Sequence, residues 1–220
     1  MSDSVRALFE QYGPAYRWIA TATVTAGSVG IILSSTIVNV AIPDVMGTFG
    51  VGQDQAQWIA TAFLAAQTVS QLITAWAVET LGIRVAYILT LCLFSAGAVL
   101  GGLAPNMETL AIARILQGAA AGVVLPTSMI VMALVFPPER KGLAMGIFSM
   151  GTVLAPSIGP VLGGIAIDTY SWRYIFFIPL PLCALAFALG AVFMPRREPN
   201  ARSLDFDWFG VLLLATAITC

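Results

Sequence analysis

Long apolar stretches alternate along the chain with short segments that hold most of its charges and turn residues. A helix needs about 20 mostly apolar residues to cross the roughly 30 Å hydrocarbon core of a bilayer. Six segments are that long: residues 18–42, 56–78, 85–104, 110–136, 143–167 and 174–194. A seventh begins at Trp208 and is still apolar at Cys220. As a helix it would rise only about 20 Å, short of a crossing. The pattern predicts an all-α membrane protein with a tail over residues 1–17 and a six-span bundle over 18–194. A linker over 195–207 and a truncated seventh transmembrane helix over 208–220 complete it. Turn signals mark the connections at Pro43-Asp44, residues 79–84, Pro105-Asn106, residues 137–142 and residues 168–173.

Composition supports the lipid-facing reading. Of 220 residues, 59% are apolar and 10% charged, against about 45–50% and about 25% in a soluble domain. One aqueous core cannot hide that excess, so the bilayer is the first partner. The tail and the loops after spans two, four and six carry Arg6, Arg17, Arg84, Arg140, Lys141, Arg196, Arg197 and Arg202. The opposite loops carry Arg173 alone, which predicts a cytoplasmic N terminus. The first apolar run is too long for a cleaved leader and reads as a retained span.

A net charge of -1 without a basic patch argues against nucleic acid. The chain has no histidine, and Cys92, Cys183 and Cys220 stand singly in apolar runs, so neither a metal site nor a cofactor is expected. No nucleophile–base pair suggests an enzyme.

Small residues four apart, at Gly97/Gly101, Gly118/Gly122, Gly142/Gly146 and Gly159/Gly163, point to closely packed helices. Gln67, Gln71 and Thr74 form a polar stripe on span two, which must face protein or a wet cavity. Arg114 is the only ionisable side chain well inside an apolar run. It either faces the bundle or snorkels to the nearby interface as an anchor.

Three further patterns carry a resemblance. They are Leu110-Ala-Ile-Ala-Arg114-Ile-Leu-Gln117-Gly118, the series Gly146, Gly159-Pro160, Gly163-Gly164, and Glu79 with Gly82 and Arg84. Together they resemble the major facilitator superfamily. The stretches from Leu33 to Pro43 and from Ser171 to Pro179 resemble its fourteen-span drug:proton antiporters of the EmrB/QacA type. The resemblance implies an N-terminal six-helix bundle built as two inverted three-helix repeats in a plasma membrane, here a bacterial inner membrane. It implies proton coupling at Arg114, with Gln117 one turn away, and a cytoplasmic latch loop of Glu79, Gly82 and Arg84. Gly146, Gly159, Pro160, Gly163 and Gly164 would form the antiporter-motif helix, kinked where the two halves of a transporter meet. The latch departs from the family pattern at Ala75 and Thr80, and the span-five motif at Ala155.

The most informative departure is Ser34, where the family usually has an aspartate that is a candidate proton carrier. Thr36 and Asn39 remain on span one as pathway candidates, beside Gln67 and Gln71 on span two. The function expected is a secondary transporter exporting drug-like or amphipathic small molecules in exchange for protons. Its partners would be substrate, protons and, if the chain is a fragment, a C-terminal half. An uptake carrier of the same superfamily and a non-transporting fragment are the alternatives.

Overall fold

A computed structural model describes residues 3–196, so the seventh apolar segment and most of the linker lie outside the described residues. Every regular element among the described residues is helical. They are α1 (Asp3–Tyr12), α2 (Tyr16–Ile37), α3 (Ile42–Phe49), α4 (Gln53–Ala56), α5 (Trp58–Leu81), α6 (Ile83–Gly102), α7 (Met107–Val135), α8 (Lys141–Thr169) and α9 (Leu180–Phe193). Short 3₁₀ turns join several of them, including Val38–Ala41 between α2 and α3 and Trp172–Phe176 before α9. Six helical stretches have the length and apolar content to cross a membrane: Ser4–Phe49, Gln53–Leu81, Ile83–Gly102, Met107–Val135, Pro138–Thr169 and Trp172–Phe193.

Three boundaries differ from the sequence expectation. Pro43 does not end the first span. It sits in the first turn of α3, where its missing N–H costs nothing. The stop comes at Gly50, which caps α3 at φ 64°, a left-handed conformation that glycine adopts freely. Glu79 and Thr80 belong to the last turn of α5, so the segment expected to be a latch loop is not a loop. One residue, Gly82 at φ 82°, separates α5 from α6. The predicted N-terminal tail is also largely helical. Val5 of α1 is buried, and Leu8, Phe9 and Tyr12 pack on the bundle, with Tyr12 edge-on to Phe193 at 5.1 Å.

The packing has a two-fold pattern. α7 lies mainly against α5 and α6, and α2 lies mainly against α8 and α9. Exchanging the first three spans with the last three maps one set of contacts onto the other. α2 touches α7, and α6 touches α9, as their own counterparts. Three crossings reverse the direction of the chain, so the second repeat is inverted relative to the first. Each repeat's leading helix packs into the other repeat, which locks the two together. Close approach depends on glycine at the α5–α7 contact. A Cβ at Gly118 would run into the Phe63 backbone, and one at Gly122 into the Gln67 carbonyl.

The basic residues gather at one end. Ser4, Leu8, Arg84, Met194 and Arg196 line a cleft of about 350 Å³, and Arg17, Phe136 and Arg140 line another there. At the opposite end Arg173 donates to the carbonyls of Ala104 (2.6 Å) and Gly102 (3.3 Å). Beside it, the Trp172 indole donates to Thr48 Oγ1 at 3.0 Å.

Candidate functional site

Arg114 lies two turns into α7, a helix whose start is set by Asn106. The Asn106 side chain accepts from the Thr109 amide at 2.9 Å, satisfying one of the N–H groups a helix start leaves open. The spacing that follows aims Arg114 and Gln117 at the same face, one turn apart. Arg114 is fully buried. That removes the interfacial-anchor alternative, because a snorkelling head would be exposed.

Three helices hold the guanidinium. Its Nε donates to the Ile59 carbonyl of α5 at 3.0 Å. Its Nη1 donates to Gln117 Oε1 at 2.9 Å and, at 3.4 Å, to Ser34 Oγ of α2. The guanidinium carbon stands 4.2 Å from the centre of the Phe63 ring, a cation–π contact that is strongest when desolvated. Ile59 and Phe63 are four apart and share a face of α5, so one helix supplies both the acceptor and the ring. Arg114 Nη2 and Gln117 Nε2 are buried without a partner. The fourth and first spans meet again at Ser28 and Ser128, whose hydroxyls lie 3.0 Å apart. The paired numbers rise on α2 as they fall on α7, so the helices run antiparallel.

The other expected residues lie elsewhere. Thr36 returns its hydroxyl to the carbonyls of Leu33 (3.1 Å) and Ile32 (3.3 Å) on its own helix. Asn39 is exposed in the 3₁₀ turn. The polar stripe of α5 does not act as one row. Thr74 is buried and donates to the Gly122 carbonyl at 3.2 Å, Gln67 is half-buried and Gln71 is exposed. Glu79 is exposed and Arg84 half-buried at the basic end. In α8, which is helical through Pro156 and Pro160, the motif divides. Gly159 and Gly163 pack on Thr36 and Ile37 of α2, whereas Gly146 and Gly164 have open space beside them and Pro160 is exposed.

Sequence reasoning missed Phe63 and Ile59. An aromatic ring and a backbone carbonyl on an apolar helix carry no signal of their own. It also missed the Ser28–Ser128 pair and Tyr87, whose buried hydroxyl donates to the Thr23 carbonyl at 2.9 Å. Among the described residues no three His, Cys, Asp or Glu side chains group as a metal site would need.

Six apolar helices in two interlocked inverted triplets, around a buried arginine, define a multi-pass membrane protein. The chain belongs to the Major Facilitator Superfamily, whose sequence profile matches residues 24–214. It is 35% identical over 200 residues to YcnB of Bacillus subtilis, an uncharacterized MFS-type transporter, covering 91% of this chain and 42% of that protein. It is 35% identical over 189 residues to the multidrug export protein EmrB of Haemophilus influenzae, covering 86% of this chain and 37% of EmrB. The fold matches a structure of the proton:xylose symporter XylE with a TM-score of 0.73 at 14% identity, over 81% of this chain and 45% of that one. The chain thus spans 42% and 37% of the length of these two curated relatives.

Proposed function

We propose that the chain is the N-terminal half of a proton-coupled exporter of drug-like or amphipathic small molecules. The observation that carries the reading is the fully buried Arg114, held by α2, α5 and α7 of both repeats. A charge at membrane depth is costly, about 2.5–3.5 kcal/mol even on insertion scales, and such residues mark substrate or proton pathways. Kinship with a multidrug export protein supports the direction and substrate class. The exposed apolar side of α8, at Met150, Val153, Ile158 and Val161, suits a second half packed against it and amphipathic cargo. Ser34 stands beside the guanidinium where the resembling antiporters have a carboxylate, so any proton-carrying acid would belong to the other half. The basic end of the bundle faces the cytoplasm, following the bias of Arg and Lys toward that side.

Efflux of a fluorescent amphipathic dye by the full-length transporter, under an imposed pH gradient, tests this. Arg114→Ala should abolish export with insertion and expression retained. Arg114→Lys should restore only part, since an ammonium lacks the planar fork that serves Ile59 and Gln117 together. Normal efflux by Arg114→Ala would overturn the reading.

A further inference from the structure

The buried donors around Arg114 are short of an acceptor. A guanidinium carries five N–H bonds and a carboxamide two, and neither group's nitrogens accept. Arg114 Nε and Nη1 are used on Ile59, Ser34 and Gln117. Nη2 of the same guanidinium and Nε2 of the bonded Gln117 are buried and have no partner. Turning the Gln117 amide over does not help. It would set an NH₂ against Nη1 and lose the 2.9 Å bond.

Charge is missing as well as an acceptor. The groups that touch the guanidinium (Ile59, Phe63, Ser34 and Gln117) are all neutral. Glu108, the nearest acid along α7, is exposed in that helix's first turn. A buried cation without a counter-charge is among the least favourable arrangements in a low-dielectric interior. A water molecule would accept from the free donors but leave the charge uncompensated. An anion answers both.

We infer that the Arg114–Gln117–Ser34 cluster binds a monovalent anionic group, a carboxylate or a halide, on the donors left free at Nη2 and Nε2. Carboxylates suit a guanidinium with a free nitrogen through charge-assisted hydrogen bonds. Ser34 Oγ is 3.4 Å from Nη1, so a carboxylate at position 34 would reach the same guanidinium and compete for the site. The binding inference rests on the cluster alone. Its use as the headgroup anchor of an amphipathic acid rests on the export reading above.

The test is thermal denaturation of the purified full-length transporter in neutral detergent, without any gradient, so that failure of export and failure of binding are told apart. Chloride, acetate and octanoate are titrated singly, and chloride again in the presence of octanoate, with sulfate balancing ionic strength. The wild type should be stabilised saturably by at least one of these monovalent anions. Arg114→Gln should lose the response. Because that variant removes three hydrogen bonds and could fold poorly, Ser34→Asp is the second arm. It supplies an internal carboxylate, should melt no lower than wild type, and should bind the anion at least about tenfold more weakly. Octanoate binding more tightly than acetate in the wild type but not in Arg114→Gln identifies an amphipathic acid's headgroup at the cluster, and a chloride response unaffected by octanoate identifies a free-ion site. No saturable stabilisation in the wild type, meaning a buried water only, would overturn the inference. So would an undiminished response in Ser34→Asp.

Discussion

Gly118→Ala probes the contact on which the Arg114 site is built. The added Cβ would fall 2.9 Å from the Phe63 carbonyl carbon and 3.0 Å from Ala66 Cβ, and nearer still to the Phe63 carbonyl oxygen. Two of these atoms are backbone, so no rotamer change clears them. α5 and α7 must part by about 1 Å to bring the nearest of these atoms to ordinary contact. Overpacking of this kind costs about 1–3 kcal/mol. Arg114 Nε reaches the Ile59 carbonyl, one turn before Phe63, across the same gap at 3.0 Å. Parting the helices stretches that bond toward its limit, so stability and the Arg114 site should weaken together. The assay is thermal unfolding of the purified protein in detergent, followed by dye efflux from the same variant. Gly47→Ala is the control. Gly47 lies within α3, and a Cβ there meets nothing within 4 Å. If Gly118→Ala melts with Gly47→Ala and exports normally, the close α5–α7 approach does not support the site.

Gly27→Ala should destabilise, because its Cβ would strike the Tyr87 hydroxyl. Tyr87→Phe alone should cost about 1 kcal/mol for its bond to Thr23; with that oxygen gone, the double variant should lose less than the sum of the singles in a double-mutant cycle of detergent melts. Gly82→Ala should cost about 1–3 kcal/mol, because alanine is strained at φ 82° where one residue turns α5 into α6; a melt matching wild type would show that the turn adapts. On a cysteine-free background, an impermeant thiol reagent added outside intact cells should label Pro105→Cys and not Arg140→Cys; labelling at 140 would reverse the proposed orientation.

The spans, their order and the charge bias were legible in the sequence because lipid imposes them locally. Each backbone segment must satisfy its own hydrogen bonds, so a run of about 20 apolar residues is a helix whatever its neighbours do. Arg114 and Gln117 stood out for the same reason, as rare polar groups in such a run. Helix ends were less legible. Pro43 reads as a break until the chain is seen to use it as a first-turn residue, and the true stop, Gly50, depends on a backbone angle. Tertiary structure alone decided what Arg114 touches. Its partners Ser34, Ile59 and Phe63 are 80, 55 and 51 positions away along the chain, and one of them contributes only a backbone carbonyl, which every residue has. Tertiary structure also separated Gly159 and Gly163, pressed on α2, from Gly146 and Gly164, which stay open though the same motif contains them. Periodicity tells a helix which residues share a face. Only the crossing of α2, α5, α7 and α8 determines what that face meets.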